Sequence, residues 1–416
     1  MEKRLTIRQN ALYNTIGSCF YLACQWLITV LVIRQGSVES GGILSLAMSV
    51  SSMFYTVSAI GRAYQVSDYH GKYETGEYVA TRLFTCGVSM VLCIGYCTLF
   101  QRNTGYETMC ILAYMGFRTV ESMSDEYQAI QQTADRMDCI FWSFMMRGCL
   151  LIGSFSVVLS ATKDVFWAIC AMTAATVLVI LIYDIPRCRK LKHYRLAFSI
   201  RRSLRFIADN IPLVSNSILL VCCVSIPRAT LNEIWGNYTM GIYSSVSAPA
   251  AIIQNVAVWL FMPFVTELTK HYNERNREGF DALNRRILLL LGAAIAAVLI
   301  GAKLLGRWGL NLIFGAEIAE HADLLIPTLL TTVLIAIEYY VSMLLTISRF
   351  LWPMLAGNAA ALALTLTLQR TVIAADGAYG VNEMIYLSVG TNLLIQAVAL
   401  LWYNRRWFGK KEKDAE

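Results

Sequence analysis

The sequence predicts an all-α polytopic membrane protein, and three observations predict it. Of the 416 residues, 56% are hydrophobic and 15% charged, with a mean hydropathy of +0.52; an ordinary soluble domain is about 25% charged. Apolar stretches of about 20 residues, the length a helix needs to cross a bilayer, recur from end to end. Lys and Arg collect in alternate connections between them. This composition excludes a water-soluble globular enzyme and a disordered chain, which needs low hydrophobicity. No stretch remains for a folded soluble domain.

Twelve spans are predicted: 12–34, 41–62, 80–100, 106–131, 139–160, 164–184, 206–232, 240–268, 286–306, 323–347, 351–373 and 383–403. The third, sixth, ninth and twelfth are long apolar runs, and the fourth is the least apolar. The first begins after the basic stretch MEKRLTIRQN, is interrupted by Asn14 and Gln25, and has no small-residue cleavage site. It reads as a retained helix rather than a cleaved signal. With the N-terminus cytoplasmic, twenty-four Lys and Arg fall on the inner side. Only Arg34, Arg102, Lys163, Arg228, Arg307 and Arg370 fall at outer ends. The positive-inside rule then places both termini in the cytoplasm and the protein in the cytoplasmic membrane. The net charge of +7 is accounted for by anionic inner-leaflet lipid and calls for no nucleic acid. Trp167, Trp235 and Trp308 near outer ends, and Trp142, Trp352, Trp402 and Trp407 near inner ends, form the expected aromatic belts.

The basic connection 186–205 divides the chain into a six-helix bundle at 1–185 and a second at 206–404, followed by a basic cytoplasmic tail at 405–416. Gly42-Ile43-Leu44-Ser45 opens the second span and Gly241-Ile242-Tyr243-Ser244 the eighth; at the same offset Asp68 meets Glu267 and Tyr73 meets Tyr272. Six helices per half is an even number, so the halves share one orientation about a pseudo-two-fold axis along the membrane normal. Pro212, Pro227, Pro249 and Pro263 predict bends in the seventh and eighth helices, serving either as a hinge or as static kinks.

No catalytic or metal-binding motif is recognised in the sequence. The twelve cysteines run from Cys19 to Cys223 without a matched pair of C-x-x-C motifs, so no zinc site is expected. Buried thiols of this kind pack as small hydrophobes. His70, His193, His271 and His321 lie unclustered in loops, and no catalytic triad or Gly-rich phosphate loop is present. The protein is not read as an enzyme, and no metal or cofactor is expected.

Polar residues inside lipid are costly and must face protein or water. In the fourth span Arg118, Glu121, Asp125, Gln128 and Gln132 are spaced 3, 4, 3 and 4 residues apart. At ~100° per residue they share one arc of about 80°. Five polar residues in register suggest a cavity wall more than a lone internal salt bridge. Milder stripes include Asn14 and Gln25 in the first span, Arg147 in the fifth, Glu338 and Ser342 in the tenth, Asn358, Thr365 and Gln369 in the eleventh, and Ser388, Asn392 and Gln396 in the twelfth. Together they predict a hydrated interior between two bundles. Arg118 and Arg147 lie deep, Arg34 and Arg228 near the outer mouth, and Arg62 and Arg82 near the inner one. Such a cavity suits an anion, because guanidinium grips phosphate through a planar fork and stays charged when partly dehydrated. Glu121, Asp125 and Glu338 have two open roles: binding H⁺ or Na⁺ for coupling, or neutralising the arginines.

Val32-Ile33-Arg34, a turn, and Gly42-Ile43-Leu44-Ser45-Leu46-Ala47 resemble the signature of the first two helices in polysaccharide flippases. Gly236 with Gly241-Ile242-Tyr243-Ser244 looks like the matching signature at the seventh and eighth. Tyr64-Gln65-Val66-Ser67-Asp68 with Gly71-Lys72-Tyr73 is similar to a motif of Wzx-type O-antigen and teichoic-acid export proteins. The resemblance implies the multidrug/oligosaccharidyl-lipid/polysaccharide (MOP) exporter superfamily, whose members, MATE transporters included, set two six-helix bundles in a V. It implies a flippase that moves an undecaprenyl-diphosphate-linked oligosaccharide from the inner to the outer leaflet by alternating access. The cavity cations it implies are Arg34, Arg62, Arg118, Arg147 and Arg228. Glycosyltransferases and a glycan polymerase are the implied partners, besides membrane lipid. The first half departs from the family in reading Arg34-Gln35-Gly36 where a Leu-Gly-Pro type of turn is common. The alternatives are a cation-coupled MATE-like drug exporter, which would want an acidic and aromatic cavity, and a glycan polymerase, which would want a large outer loop.

Overall fold

The computed structural model describes residues 6–59, 62–67, 73–99, 104–192, 197–261 and 264–414. Lys3, Arg4, Asp68, His70, Gly71, Lys72, Arg102, His193, Arg195 and Pro263 lie outside that set, as do the last two residues of the tail. Among the described residues every regular element is helical. In chain order they are α1 (Ile7–Leu31), α2 (Val38–Ser58), α3 (Arg62–Ser67), α4 (Thr75–Leu99), α5 (Gly105–Thr133), α6 (Met137–Thr162), α7 (Val165–Val179) and α8 (Ile185–Leu191). There follow α9 (Ile200–Phe261), α10 (Val265–Asn273), α11 (Arg277–Ile313), α12 (Ala316–Ala319), α13 (Leu325–Ile347), α14 (Trp352–Asp376) and α15 (Ala378–Asp414). π-Helical turns prolong α1 over Val32–Gly36 and join α7 to α8 over Ile180–Asp184.

Each predicted span falls on a long helix, the sixth on α7 with its π-helical extension and the seventh and eighth sharing α9. Inside α9 the one non-helical residue is Gly236, at φ 78° and ψ 177°, a conformation essentially restricted to glycine. The break between these two spans is therefore made by a glycine, and the helix runs on through Pro212, Pro227 and Pro249. Nine stretches among the described residues are long and apolar enough to cross a membrane by length and composition alone. α5 and α14 fall short of that apolarity, and α9 counts once although it holds two spans.

Helix ends are closed locally. Thr6 with Gln9, and Thr104 with Glu107, form capping boxes at the starts of α1 and α5. Ser37, Asp164 and Asn276 accept backbone N–H groups at the starts of α2, α7 and α11. The end of α2 is closed from neighbouring helices. The Ser58 carbonyl accepts from Arg82 Nη1 at 2.6 Å and from Ser122 Oγ at 3.1 Å, which meets the demand for internal partners in a bilayer.

The chain divides into two compact units, Met1–Ile218 and Leu219–Glu416. In the first unit α5 is the hub, packed against α2, α3, α4, α6, α7 and α8. Its low apolarity follows from this position: a helix surrounded by protein presents polar groups to neighbours, not to lipid. α1 packs chiefly on α6, and Gly148 permits the close approach, since a Cβ there would meet Cys24 Sγ and the Phe20 ring at 2.8 Å. In the second unit α15 packs on α13 and α14. One core gathers Leu220, Leu231, Met240 and Tyr243 of α9 with Ile335, Ile373, Val381, Met384, Ile385 and Val389. Another joins Phe261, Leu268, Tyr272 and Phe280 to Tyr340, Leu345 and Phe408. Leu289, Leu304 and Trp308 of α11 are exposed, as a lipid-facing surface requires.

Candidate functional site

The polar stripe on α5 is the organising element of the first unit. Glu121, with its side chain 6% exposed, sits where the faces of α1 and α5 meet. Its Oε1 accepts the Tyr21 hydroxyl at 2.5 Å and Gln25 Nε2 at 2.6 Å. Its Oε2 accepts Arg118 Nη1 at 2.6 Å. Tyr21 and Gln25 are four residues apart on α1, so one helical face delivers both donors. The Arg118 guanidinium lies 3.7 Å from the centre of the Tyr55 ring, a cation–π contact that helps to position it. Among the described residues Glu121 is its single hydrogen-bond partner. Its other donors are left free by Glu121, and it lines a cavity of about 150 Å³ with Gln25, Ile28, Met48, Ser52, Tyr114, Phe117 and Met172. That volume matches engineered cavities that hold a single benzene-sized molecule.

The lower part of the stripe is tied into ion pairs. Asp125 accepts Arg62 Nη1 from α3, and Arg62 Nη2 also donates to Gln132 Oε1 at 3.2 Å. Asp125 Oδ2 is 3.7 Å from Arg82 Nη2. Arg82 Nε donates to Glu126 Oε2 at 3.1 Å, with the two side chains 1% and 3% exposed. Arg62 and Asp125 stay partly exposed, whereas Arg82 and Glu126 are interior. Gln128 is buried, and its Nε2 has no protein partner.

Arg147 is also buried, over the rings of Tyr21 at 4.7 Å and Phe144 at 5.1 Å. It does not line the cavity that Arg118 lines. Asp184, at the end of the π-helical turn, is buried and accepts Ser124 Oγ at 3.1 Å. Arg34 is exposed on the π turn after α1, and Asn14 is half-buried near the start of α1. The first unit therefore brings Arg118, Glu121 and Gln25 together, and separately Arg62 with Asp125.

In the second unit Glu338 is fully buried. Its Oε1 accepts Ser342 Oγ at 2.7 Å, Asn392 Nδ2 at 3.1 Å and Gln396 Nε2 at 3.0 Å. Its Oε2 has no protein partner. Asn392 Nδ2 also donates to Asn358 Oδ1 at 3.0 Å. No Lys or Arg among the described residues pairs with Glu338. Asn358 and Asn392, expected to line a cavity, are both fully buried. The stripes of α13, α14 and α15 face one another and bond to one another, with Glu338 Oε2 the acceptor left over. Arg228 lies 5.8 Å from the centre of the Tyr243 ring.

Several participants escaped sequence reasoning as site residues. Tyr55 and Tyr114 carry no charge, and aromatic residues are common in any span. Glu126 adjoins Asp125 but points about 100° away from the stripe. Asp184 ends the most apolar run of the first half. Tyr21 was visible as the i−4 neighbour of Gln25.

The described helices are those of a multi-pass integral membrane protein, and the likeness to solved structures shows the MATE-type fold. A MATE-family multidrug resistance transporter in an inward-facing conformation superimposes at a TM-score of 0.69, 12% identical, over 95% of this chain and 96% of that one. A mutant form of the Vibrio cholerae MATE transporter VcmN gives 0.59 at 9% identity over 98% and 96%. A MOP-superfamily transporter from Pyrococcus furiosus, described as having a binding pocket of reversed polarity, gives 0.53 at 15% identity over 98% and 97%. In sequence the chain is distantly similar to the capsular polysaccharide biosynthesis protein CapF of Staphylococcus aureus, 21% identical over 324 residues, covering 76% of this chain and 80% of that protein. No protein-family model matches the chain.

Proposed function

We propose that the protein is a flippase that carries a polyprenyl-diphosphate-linked oligosaccharide across the cytoplasmic membrane, from inner to outer leaflet, by alternating access. The observation that carries this reading is the Arg118 guanidinium on the cavity wall, over the Tyr55 ring and with donors that Glu121 leaves free. A planar cation with open donors in a partly apolar pocket is matched to phosphate oxygens. The glycan stays in water and the polyprenyl tail in lipid. The distant similarity to a capsular polysaccharide biosynthesis protein supports the same substrate class. Arg62, which keeps partial exposure beside Asp125, and Arg34 and Arg228 are proposed as further contacts along the substrate's path. Glu338 is the proposed coupling group for H⁺ or Na⁺, and glycosyltransferases and a polymerase are the proposed partners.

The test is transport of a fluorescent polyprenyl-diphosphate glycan in proteoliposomes made with the full chain. Arg118→Ala abolishes transport while the protein still elutes as a folded species. Wild-type transport by that variant refutes the role. Export of a cationic drug is the second reading, favoured by the MATE-type fold and by Glu121 near the cavity. It predicts dye resistance on overexpression, which Arg118 on the wall weighs against.

A further inference from the structure

Arg118 meets a carboxylate before it meets any substrate. Glu121 Oε2 holds one arm of the guanidinium at 2.6 Å. An anion entering the cavity reaches a cation whose charge is already matched. The free donors meet the ligand first, and full engagement is an exchange of partners: the arginine turns from Glu121 toward the ligand, and the glutamate is left behind in a nearly dry site.

Leaving a buried carboxylate without its cation is ordinarily expensive. Here two neutral donors from α1 already serve its other oxygen, Tyr21 at 2.5 Å and Gln25 at 2.6 Å. They remain in place when the arginine leaves, which lowers the cost of parting Arg118 from Glu121. Tyr21 is itself held against Phe144, with ring centres 5.3 Å apart, and beneath Arg147. The hydroxyl therefore does not depend on Arg118 for its position.

We propose that Glu121 is a built-in counter-anion that competes with the ligand for Arg118 and sets the site's preference for a diphosphate over a singly charged headgroup. The inference rests on the flippase reading above and names how that site selects its headgroup. A single carboxylate offers Arg118 no more charge than Glu121 does, so exchange gains little. A diphosphate carries at least two charges and several acceptor oxygens, enough to displace the internal partner. The device rejects the fatty acids and other monoanions that abound at a membrane surface.

The experiment measures binding of two probes with one C15 tail, farnesyl diphosphate and farnesoic acid, to the full chain in nanodiscs. Wild type prefers the diphosphate. Glu121→Gln keeps an acceptor for Tyr21 and Gln25 but removes the competing charge. It should tighten farnesoic acid on the order of tenfold, tighten the diphosphate less, and so narrow the preference. Tyr21→Phe keeps the ring against Phe144 and Arg147 and removes only the hydroxyl. Glu121 then depends more on Arg118, and the diphosphate should weaken by about threefold. Opposite shifts in the two variants support the proposal. Weaker or unchanged binding in Glu121→Gln, or shifts of one sign in both, overturns it and leaves Glu121 as a group that merely positions Arg118. Diphosphate binding by Arg118→Ala equal to wild type overturns the flippase reading itself, and this inference with it.

Discussion

Replacing Arg82 by alanine strands a carboxylate in the interior of the first unit. Arg82 and Glu126 are 3.1 Å apart with side chains 1% and 3% exposed. At an effective dielectric of about 20, unit charges at that separation attract by about 5 kcal/mol. Desolvation of both ions offsets most of this in the intact protein. The asymmetry appears when one partner is removed, because the survivor keeps the desolvation and loses the attraction. Arg82→Ala also takes the 2.6 Å hydrogen bond from the last carbonyl of α2, leaving Ser122 as its main donor. The expected loss is about 3–5 kcal/mol. Arg82→Met with Glu126→Met removes both charges at similar volume and should recover to within about 2 kcal/mol of wild type. Reversible unfolding of the full chain in mixed detergent micelles measures both. Transport per folded molecule should stay near wild type in the double variant, since Arg82 does not line the cavity. A loss below about 1 kcal/mol in Arg82→Ala, the range of solvent-exposed pairs, would falsify the claim that this pair is dry and structural.

Two further outcomes follow from the second unit and from the charge distribution. Glu338→Gln keeps the acceptor that Ser342, Asn392 and Gln396 share and should cost at most about 1 kcal/mol, whereas Glu338→Ala strands those donors and should cost about 2–4 kcal/mol. Equal effects would mean the cage is not closed around the carboxyl, and Na⁺- or pH-dependent transport that survives in Glu338→Gln removes Glu338 as the coupling group. A fluorescent protein fused after Glu416 should fluoresce, and alkaline phosphatase at the same point should be inactive; the reverse pattern refutes a cytoplasmic C-terminus.

The sequence was most legible where one physical rule acts alone. Burying a backbone in hydrocarbon demands helices, so length and hydropathy located the spans even where α9 runs through two of them. The α5 stripe was legible because 3.6-residue periodicity puts Arg118, Glu121 and Asp125 on one face whatever lies opposite. Two matters were hidden. Periodicity cannot say whether a polar face meets water or another polar face. On α13, α14 and α15 it meets its own kind, and Asn358 and Asn392 are interior. Nor can it rank arginines: Arg82 and Arg118 both lie on helices near carboxylates, yet one is locked to Glu126 and a helix end while the other keeps free donors and lines a cavity.

By itself, then, the amino-acid order determined a helical, many-times-crossing chain and the residues that would be costly in lipid, because both depend on transfer energies summed along the chain. Which residues distant in sequence neutralise each other, and that Arg118 lines a cavity, was decided by tertiary structure. Ion pairs such as Arg62–Asp125 and Arg82–Glu126 join positions 63 and 44 residues apart in the chain. Their energies depend on separations of a few ångströms that only the packing of α3, α4 and α5 sets.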